Sequence, residues 1–109
     1  MAKTVNLGSR AVGENQPCFV VAEIGINHNG DLDTARKLIS AATLAGCEAV
    51  KFQKRTVEVV YTPQELAQPR PNSFGPTNGD LKRGLEFGVE QYRAIDDYCK
   101  LHKILWFAL

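Results

Sequence analysis

The chain has 109 residues, 44% of them hydrophobic and 23% charged, a balance that belongs to soluble globular proteins and argues against intrinsic disorder. Thirteen Lys and Arg stand against twelve Asp and Glu, a formal net charge of +1, so no strong field favours nucleic acid or an anionic membrane, and a small molecule is the expected ligand. Cys18, Cys47 and Cys99 are an odd number without CxxC spacing, which suits neither a disulfide framework nor a zinc site and predicts reduced, mostly buried thiols.

The opening residues, MAKTVNLGSR, lack the apolar run of a signal peptide, and no stretch approaches the roughly 18 apolar residues of a membrane span. The expectation is a cytoplasmic protein. Thr4 to Leu7 alternates polar with apolar residues ahead of Gly8 and Gly13, which predicts a short β-ribbon. Cys18-Phe-Val-Val-Ala-Glu23 follows Pro17 as a continuous apolar run closed by a carboxylate, the pattern of a strand buried on both faces. From Asp31 the period becomes helical, with Leu32, Ala35, Leu38, Ile39, Ala42 and Ala45 on one face. Asp31 is the expected N-cap and Gly46 the C-terminal stop. Glu48-Ala-Val-Lys-Phe-Gln53 is a second short apolar run, so strand, helix and strand form a βαβ unit with parallel pairing.

Lys54 to Gly88 is long, and Pro63, Pro69, Pro71, Pro76 and the Gly75-Pro-Thr-Asn-Gly79 turn signal argue against one regular element. Thr62-Pro-Gln-Glu-Leu is expected to begin a short helix, with Pro at its first position. A second amphipathic helix is predicted over Glu90 to His102, with Val89, Tyr92, Ile95 and Cys99 inward, and a third strand over Ile104 to Ala108. This order indicates an α/β protein with a parallel sheet. The final residues lie inside that apolar strand, which leads us to expect that the chain is a piece of something larger.

In parallel α/β folds the functional groups gather at the C-terminal ends of the strands. The first such end, Glu23-Ile-Gly-Ile-Asn-His-Asn-Gly30, carries a carboxylate, an imidazole, two amides and two glycines in eight residues; the second is Lys51-Phe-Gln53; the third begins at Leu109. A lysine closing an apolar strand is costly unless its ammonium meets an anion, which makes Lys51 either a phosphate or carboxylate ligand or an ion-pair partner of Glu23. Glu23 is equally a general base, an acceptor for a substrate hydroxyl, or the structural partner of Lys51. His28, a lone histidine in a polar loop, reads as a hydrogen-bonded surface or supporting residue, with no second ligand at metal spacing beside it. There is neither a GxGxxG fingerprint nor a GxxxxGK[ST] loop, which disfavours nucleotides. Trp106 reads as a core filler, and Asp80-Leu-Lys-Arg83 as a solvated turn or helix face, with closure over an anionic ligand as the sharper alternative.

Phe19-Val-Val-Ala-Glu-Ile-Gly-Ile-Asn-His-Asn-Gly30, Ala35-Arg-Lys-Leu-Ile and Ala45-Gly-Cys-Glu-Ala-Val-Lys-Phe-Gln53, with the helix near Tyr92 to Lys100 and the strand after it, resemble the opening of the N-acetylneuraminate (sialic acid) synthase family. The resemblance implies that residues 1–109 are the N-terminal part of a (β/α)8 TIM barrel, with about three parallel strands and two main helices. The rest of the barrel and a C-terminal antifreeze-like domain would lie outside this chain. It implies condensation of phosphoenolpyruvate with an N-acetylated amino sugar, a divalent metal (Mn or Mg) whose histidine ligands lie beyond Leu109, and a homodimer. By the same resemblance Glu23 is the acidic residue beside the sugar, Lys51 contacts phosphoenolpyruvate, Gln53 lies near the sugar, and Asn27 and His28 support them; no metal ligand is expected here. The 54–88 loop departs from the family in length and proline content, and Leu109 stands where a small hydroxyl residue is usual, so the resemblance names a class of acceptor and not one sugar. The rival readings are another phosphoenolpyruvate-using or aldolase-type barrel and a free-standing, non-catalytic α/β module.

Overall fold

A computed structural model describes residues 3–109. The chain opens with a ribbon of β1 (Thr4–Leu7) and β2 (Arg10–Gly13), paired antiparallel in the register Val5 to Val12. Gly8 takes the turn at φ 59°, and a side chain there would strike Leu105, so the ribbon's turn lies against the beginning of the last strand. A three-stranded parallel sheet follows, in the order β3 (Val21–Gly25), β4 (Ala49–Phe52) and β7 (Leu105–Ala108). The predicted first core strand thus begins at Val21, not Cys18. Ladder pairing begins where Val21 faces Ala49, and the Val20 N–H goes to the Glu48 carboxylate instead, at 2.6 Å.

Between β3 and β4 runs α1 (Leu32–Leu44), and between β4 and β7 runs α5 (Val89–Leu101). Asp31 caps α1 as expected, its side chain accepting the Asp33 N–H at 3.0 Å. Gly46, at φ 85°, closes the helix. Its N–H bonds the Thr43 carbonyl while the Cys47 N–H reaches Ala42, the paired bonds of a Schellman ending. Ala35, Ile39 and Ala42 of α1 and Ile95 and Cys99 of α5 pack on Ile24, Val50 and Phe52, with Ala22, Trp106 and Ala108 at the margin of this core. Since side chains alternate across a strand, Glu23 and Lys51 project from the sheet's other face.

Three details of burial differ from the sequence reading. Ala45 and Val89 are exposed, because each sits where its helix ends or begins and turns away from the sheet. Among the thiols only Cys99 is buried; Cys47 is partly so, and Cys18 is exposed because it precedes the strand.

Residues 54–88 form a string of short elements: α2 (Val57–Val60), α3 (Pro63–Ala67), the hairpin β5 (Pro69–Asn72) with β6 (Gly75–Thr77), and α4 (Asn78–Gly84). Local capping organises them. Thr62 accepts the Glu65 N–H while Glu65 accepts from the Thr62 backbone, and Thr77 and Asp80 do the same at the start of α4, so two helices too short to stand alone each satisfy orphan donors. Pro63 at the first helical position of α3 follows the expectation. The Asp80–Arg83 stretch forms most of α4, with Asp80 holding the cap.

Candidate functional site

Glu23 and Lys51 face each other in the β3–β4 register. Lys51 Nζ donates to Glu23 Oε2 at 3.0 Å, with the lysine side chain 22% and the glutamate side chain 53% exposed. The ion-pair alternative is therefore present as a contact. A pair this open to water is worth little to stability, and an ammonium with three donors spends one of them on Glu23. Gly25, at φ 58°, makes room for the carboxylate: a Cβ there would stand 3.1 Å from Glu23 Oε1.

Past Gly25 the loop winds back through successive turns. The Asn27 N–H and Nδ2 both bond the Ile24 carbonyl, at 3.0 and 2.9 Å, leaving Asn27 exposed on the same end of the sheet. His28 turns the other way. It is 1% exposed, stacked on Phe87 with ring centroids 4.0 Å apart, and its Nδ1 accepts the Gly30 N–H at 3.0 Å. The surface reading of His28 is thus corrected: the side chain braces the loop from inside the core. Burial lowers its pKa below the ordinary histidine value, with the Glu86 charge opposing. With Nδ1 accepting, the neutral ring carries its proton on Nε2.

At the end of β4 the Gln53 N–H reaches the Gly25 carbonyl at 3.3 Å, and the Gln53 carbonyl accepts the Tyr92 hydroxyl at 3.2 Å. Burial, aided by Glu86, pushes the Tyr92 pKa up to about 12, so this phenol stays a donor. Four residues that sequence reasoning missed, Lys54, Arg55, Tyr61 and Glu86, complete the surroundings. The Arg55 guanidinium donates to Gln53 Oε1 and to the Tyr61 hydroxyl, and Glu86 accepts the Arg55 N–H at 3.1 Å and Lys54 Nζ at 3.3 Å. The available signal was the every-second-residue spacing of Lys51, Gln53 and Arg55. Trp106 is stacked on Tyr92 at 5.5 Å and donates to Asp96 at 2.9 Å, remote from the Glu23–Lys51 pair in its contacts. Arg83 is held by Glu58 at 2.9 Å, and Lys82 lies over the Tyr61 ring.

The structure therefore gathers Glu23, Lys51 and Gln53 at the C-terminal ends of adjoining parallel strands, sets Asn27 on the loop above, and withdraws His28 into the core. The model of the NeuB family matches residues 38–109. The chain belongs to the NeuB family. It is 43% identical over 93 residues to the human N-acetylneuraminate-9-phosphate synthase, covering 84% of this chain and 26% of that protein. It is 33% identical to the N,N'-diacetyllegionaminic acid synthase of Legionella pneumophila, covering 83% and 26%. The crystal structure of the N-acetylneuraminic acid synthetase of Leptospira borgpetersenii, in complex with citrate, superposes with a TM-score of 0.77 at 28% identity over 99% of this chain and 34% of that one. The Bacillus subtilis spore coat polysaccharide biosynthesis protein SpsE gives 0.67 at 31% identity, over 97% and 27%.

This NeuB chain spans about a quarter of the length of the curated relatives it matches. Its fold is a portion of the synthetase barrel, as the resemblance implied, and the relatives it matches are synthases of sialic, legionaminic and pseudaminic acids. Among the described residues no helix is long and apolar enough to cross a membrane.

Proposed function

We propose that the complete protein carrying these residues condenses phosphoenolpyruvate with an N-acetylated amino sugar, N-acetylmannosamine or a relative, to give a nonulosonic acid and phosphate. The observation that carries the reading is the half-open Lys51–Glu23 pair at the ends of two neighbouring parallel strands, a placement typical of barrel active sites. In this reading residues 1–109 are the first part of the barrel domain, and the rest of the barrel and an antifreeze-like domain follow in a cytoplasmic homodimer.

Lys51 has two donors left for the phosphate or carboxylate of phosphoenolpyruvate, and its charge stabilises the anion as it shifts. Carbon 3 of phosphoenolpyruvate adds to the open-chain aldehyde carbon, and the aldehyde oxygen takes a proton to become a hydroxyl. Water adds its oxygen to carbon 2 and gives up one proton, which balances the one taken by the aldehyde oxygen; the bond from carbon 2 to the bridging oxygen then breaks, the carbonyl forms at carbon 2, and the second proton leaves with phosphate. Glu23 accepts from the sugar hydroxyl or from that water, Gln53 and Asn27 line the sugar's place, and His28 holds the loop that carries Asn27. A divalent metal, Mn²⁺ or Mg²⁺, belongs to the same reading. Among the described residues, however, no three His, Cys, Asp or Glu side chains are grouped to hold one. In this reading its ligands belong to the remainder of the barrel. The 43% identity to a synthase favours this reading over another aldolase-type barrel or a free-standing module.

In the complete protein, Lys51→Ala removes a charge-assisted contact worth about 1.5–3 kcal/mol, so KM for phosphoenolpyruvate should rise roughly tenfold or more with the fold intact. Glu23→Gln keeps shape and loses charge. Turnover should fall by about 10²–10⁴ while phosphoenolpyruvate still binds. Steady-state kinetics with both substrates varied checks the pair; wild-type constants in both variants would overturn the assignment.

A further inference from the structure

An arginine offers only donors, and the sole acceptor on a glutamine side chain is Oε1. The bond from the Arg55 guanidinium to Gln53 therefore settles which way the amide points: the oxygen is occupied, and the NH2 group, which donates to no protein group among the described residues, is left for a ligand. Arg55 is itself fixed by two residues, Glu86 and Tyr61. Its backbone N–H bonds Glu86 at 3.1 Å, a second guanidinium nitrogen donates to the Tyr61 hydroxyl, and the guanidinium carbon lies 5.9 Å from the centre of the Tyr61 ring. Among the described residues no carboxylate pairs with this guanidinium. An ion pair would compete for its donors, so their freedom leaves the neutral amide a strong, charge-assisted bond. Gln53 is held at its root as well, where its carbonyl accepts the Tyr92 hydroxyl.

We infer that Arg55 is a positioning residue: it locks the Gln53 amide so that its NH2, and not its oxygen, is the group presented to the sugar that Gln53 lines in the proposed reading. The inference rests on the proposed synthase reading for the identity of the ligand, but the lock belongs to the protein alone. A freely rotating amide would offer a donor or an acceptor with equal ease. A locked one selects, because a site built around a fixed donor rejects an analogue that has no oxygen to meet it.

The test uses the complete protein, with initial rates measured against N-acetylmannosamine at saturating phosphoenolpyruvate and the reverse. Arg55→Met should raise KM for the sugar about tenfold and leave KM for phosphoenolpyruvate within about twofold. Arg55→Lys, which still donates to Oε1 but cannot also reach Tyr61 in the same fork, should restore part of the loss. Gln53→Glu is the sharper variant. It strengthens the bond to Arg55 yet removes the donor, so it should be as deficient in sugar KM as Gln53→Met. Retention of sugar affinity in Gln53→Glu would overturn the inference. A readout independent of turnover is the NMR order parameter of the Gln53 side-chain NH2, which should drop in Arg55→Met and, less, in Tyr61→Phe. If the wild-type protein consumes no phosphoenolpyruvate with any N-acetylated sugar, the functional reading falls while the NMR result still decides the lock: an unchanged order parameter in both variants contradicts it. Should Arg55→Met fail to fold, Tyr61→Phe and Gln53→Glu carry the test.

Discussion

A carboxylate and an ammonium at the ends of two apolar runs stand out in the sequence because their immediate neighbours, Ala22 and Ile24, Val50 and Phe52, are apolar, and Glu23 and Lys51 were legible for that reason. His28 was not. Its loop is polar, and only the stacking of Phe87, some sixty residues away in the chain, puts the ring in the core. Arg55 was missed on similar grounds, since its partners Tyr61 and Glu86 come from the proline-rich segment whose folding composition alone does not reveal. The burial of His28 has a consequence in pH. Its folded-state pKa lies below the ordinary value of 6.5, so as pH falls the unfolded chain takes up the proton first. The stability it permits is complete above about pH 6.5 and is lost as the pH falls from there toward the folded-state value. Denaturant titrations of the complete protein at pH 7.5 and 5.5 should show a larger loss for the wild type than for His28→Gln, which does not titrate. Equal losses would remove His28 from the account.

Where an element has its own period and its own punctuation, it could be read directly: α1 between Asp31 and Gly46, α5, and the strands that alternate with them. The hairpin β5–β6 and helix α4 could not, because prolines interrupt β5 and β6 and α4 has only seven residues. What places them is a tertiary contact. Phe74 at the hairpin tip lies over Gly84 and Gly30, and a Cβ on Gly30 would stand 2.2 Å from the Gly84 carbonyl oxygen. Gly30 therefore joins the loop after β3 to the segment after β4, the two loops that frame Glu23 and Gln53. Gly46 provides the comparison, since it is also left-handed, at φ 85°, yet has nothing within 4 Å. Gly46→Ala should cost only the backbone penalty of about 1–2 kcal/mol. Gly30→Ala should cost clearly more and should raise KM for the sugar. Urea unfolding and kinetics of the two variants, side by side, check this, and equal costs would mean that the loops do not meet at Gly30.

Across the whole molecule, three strands and their helices leave β3 and β7 each with one unpaired edge among the described residues, and on the face bearing Lys51 the apolar Val21 and Phe107 stay exposed. A closed barrel has no edges and takes about 250 residues. Residues 1–109 expressed alone should therefore aggregate, pair through their edges or fold poorly, without synthase activity. A monomer that unfolds cooperatively in sedimentation and thermal melts would favour the free-standing module instead. The central claim concerns chemistry, and the complete protein tests it most directly. Incubated with phosphoenolpyruvate, Mn²⁺ and a panel of N-acetylated amino sugars, it should release phosphate and form a nonulosonic acid of the combined carbon count, seen by mass spectrometry, with at least one sugar and not when the sugar is left out. Phosphoenolpyruvate left intact with every sugar, in a folded protein, would contradict the account.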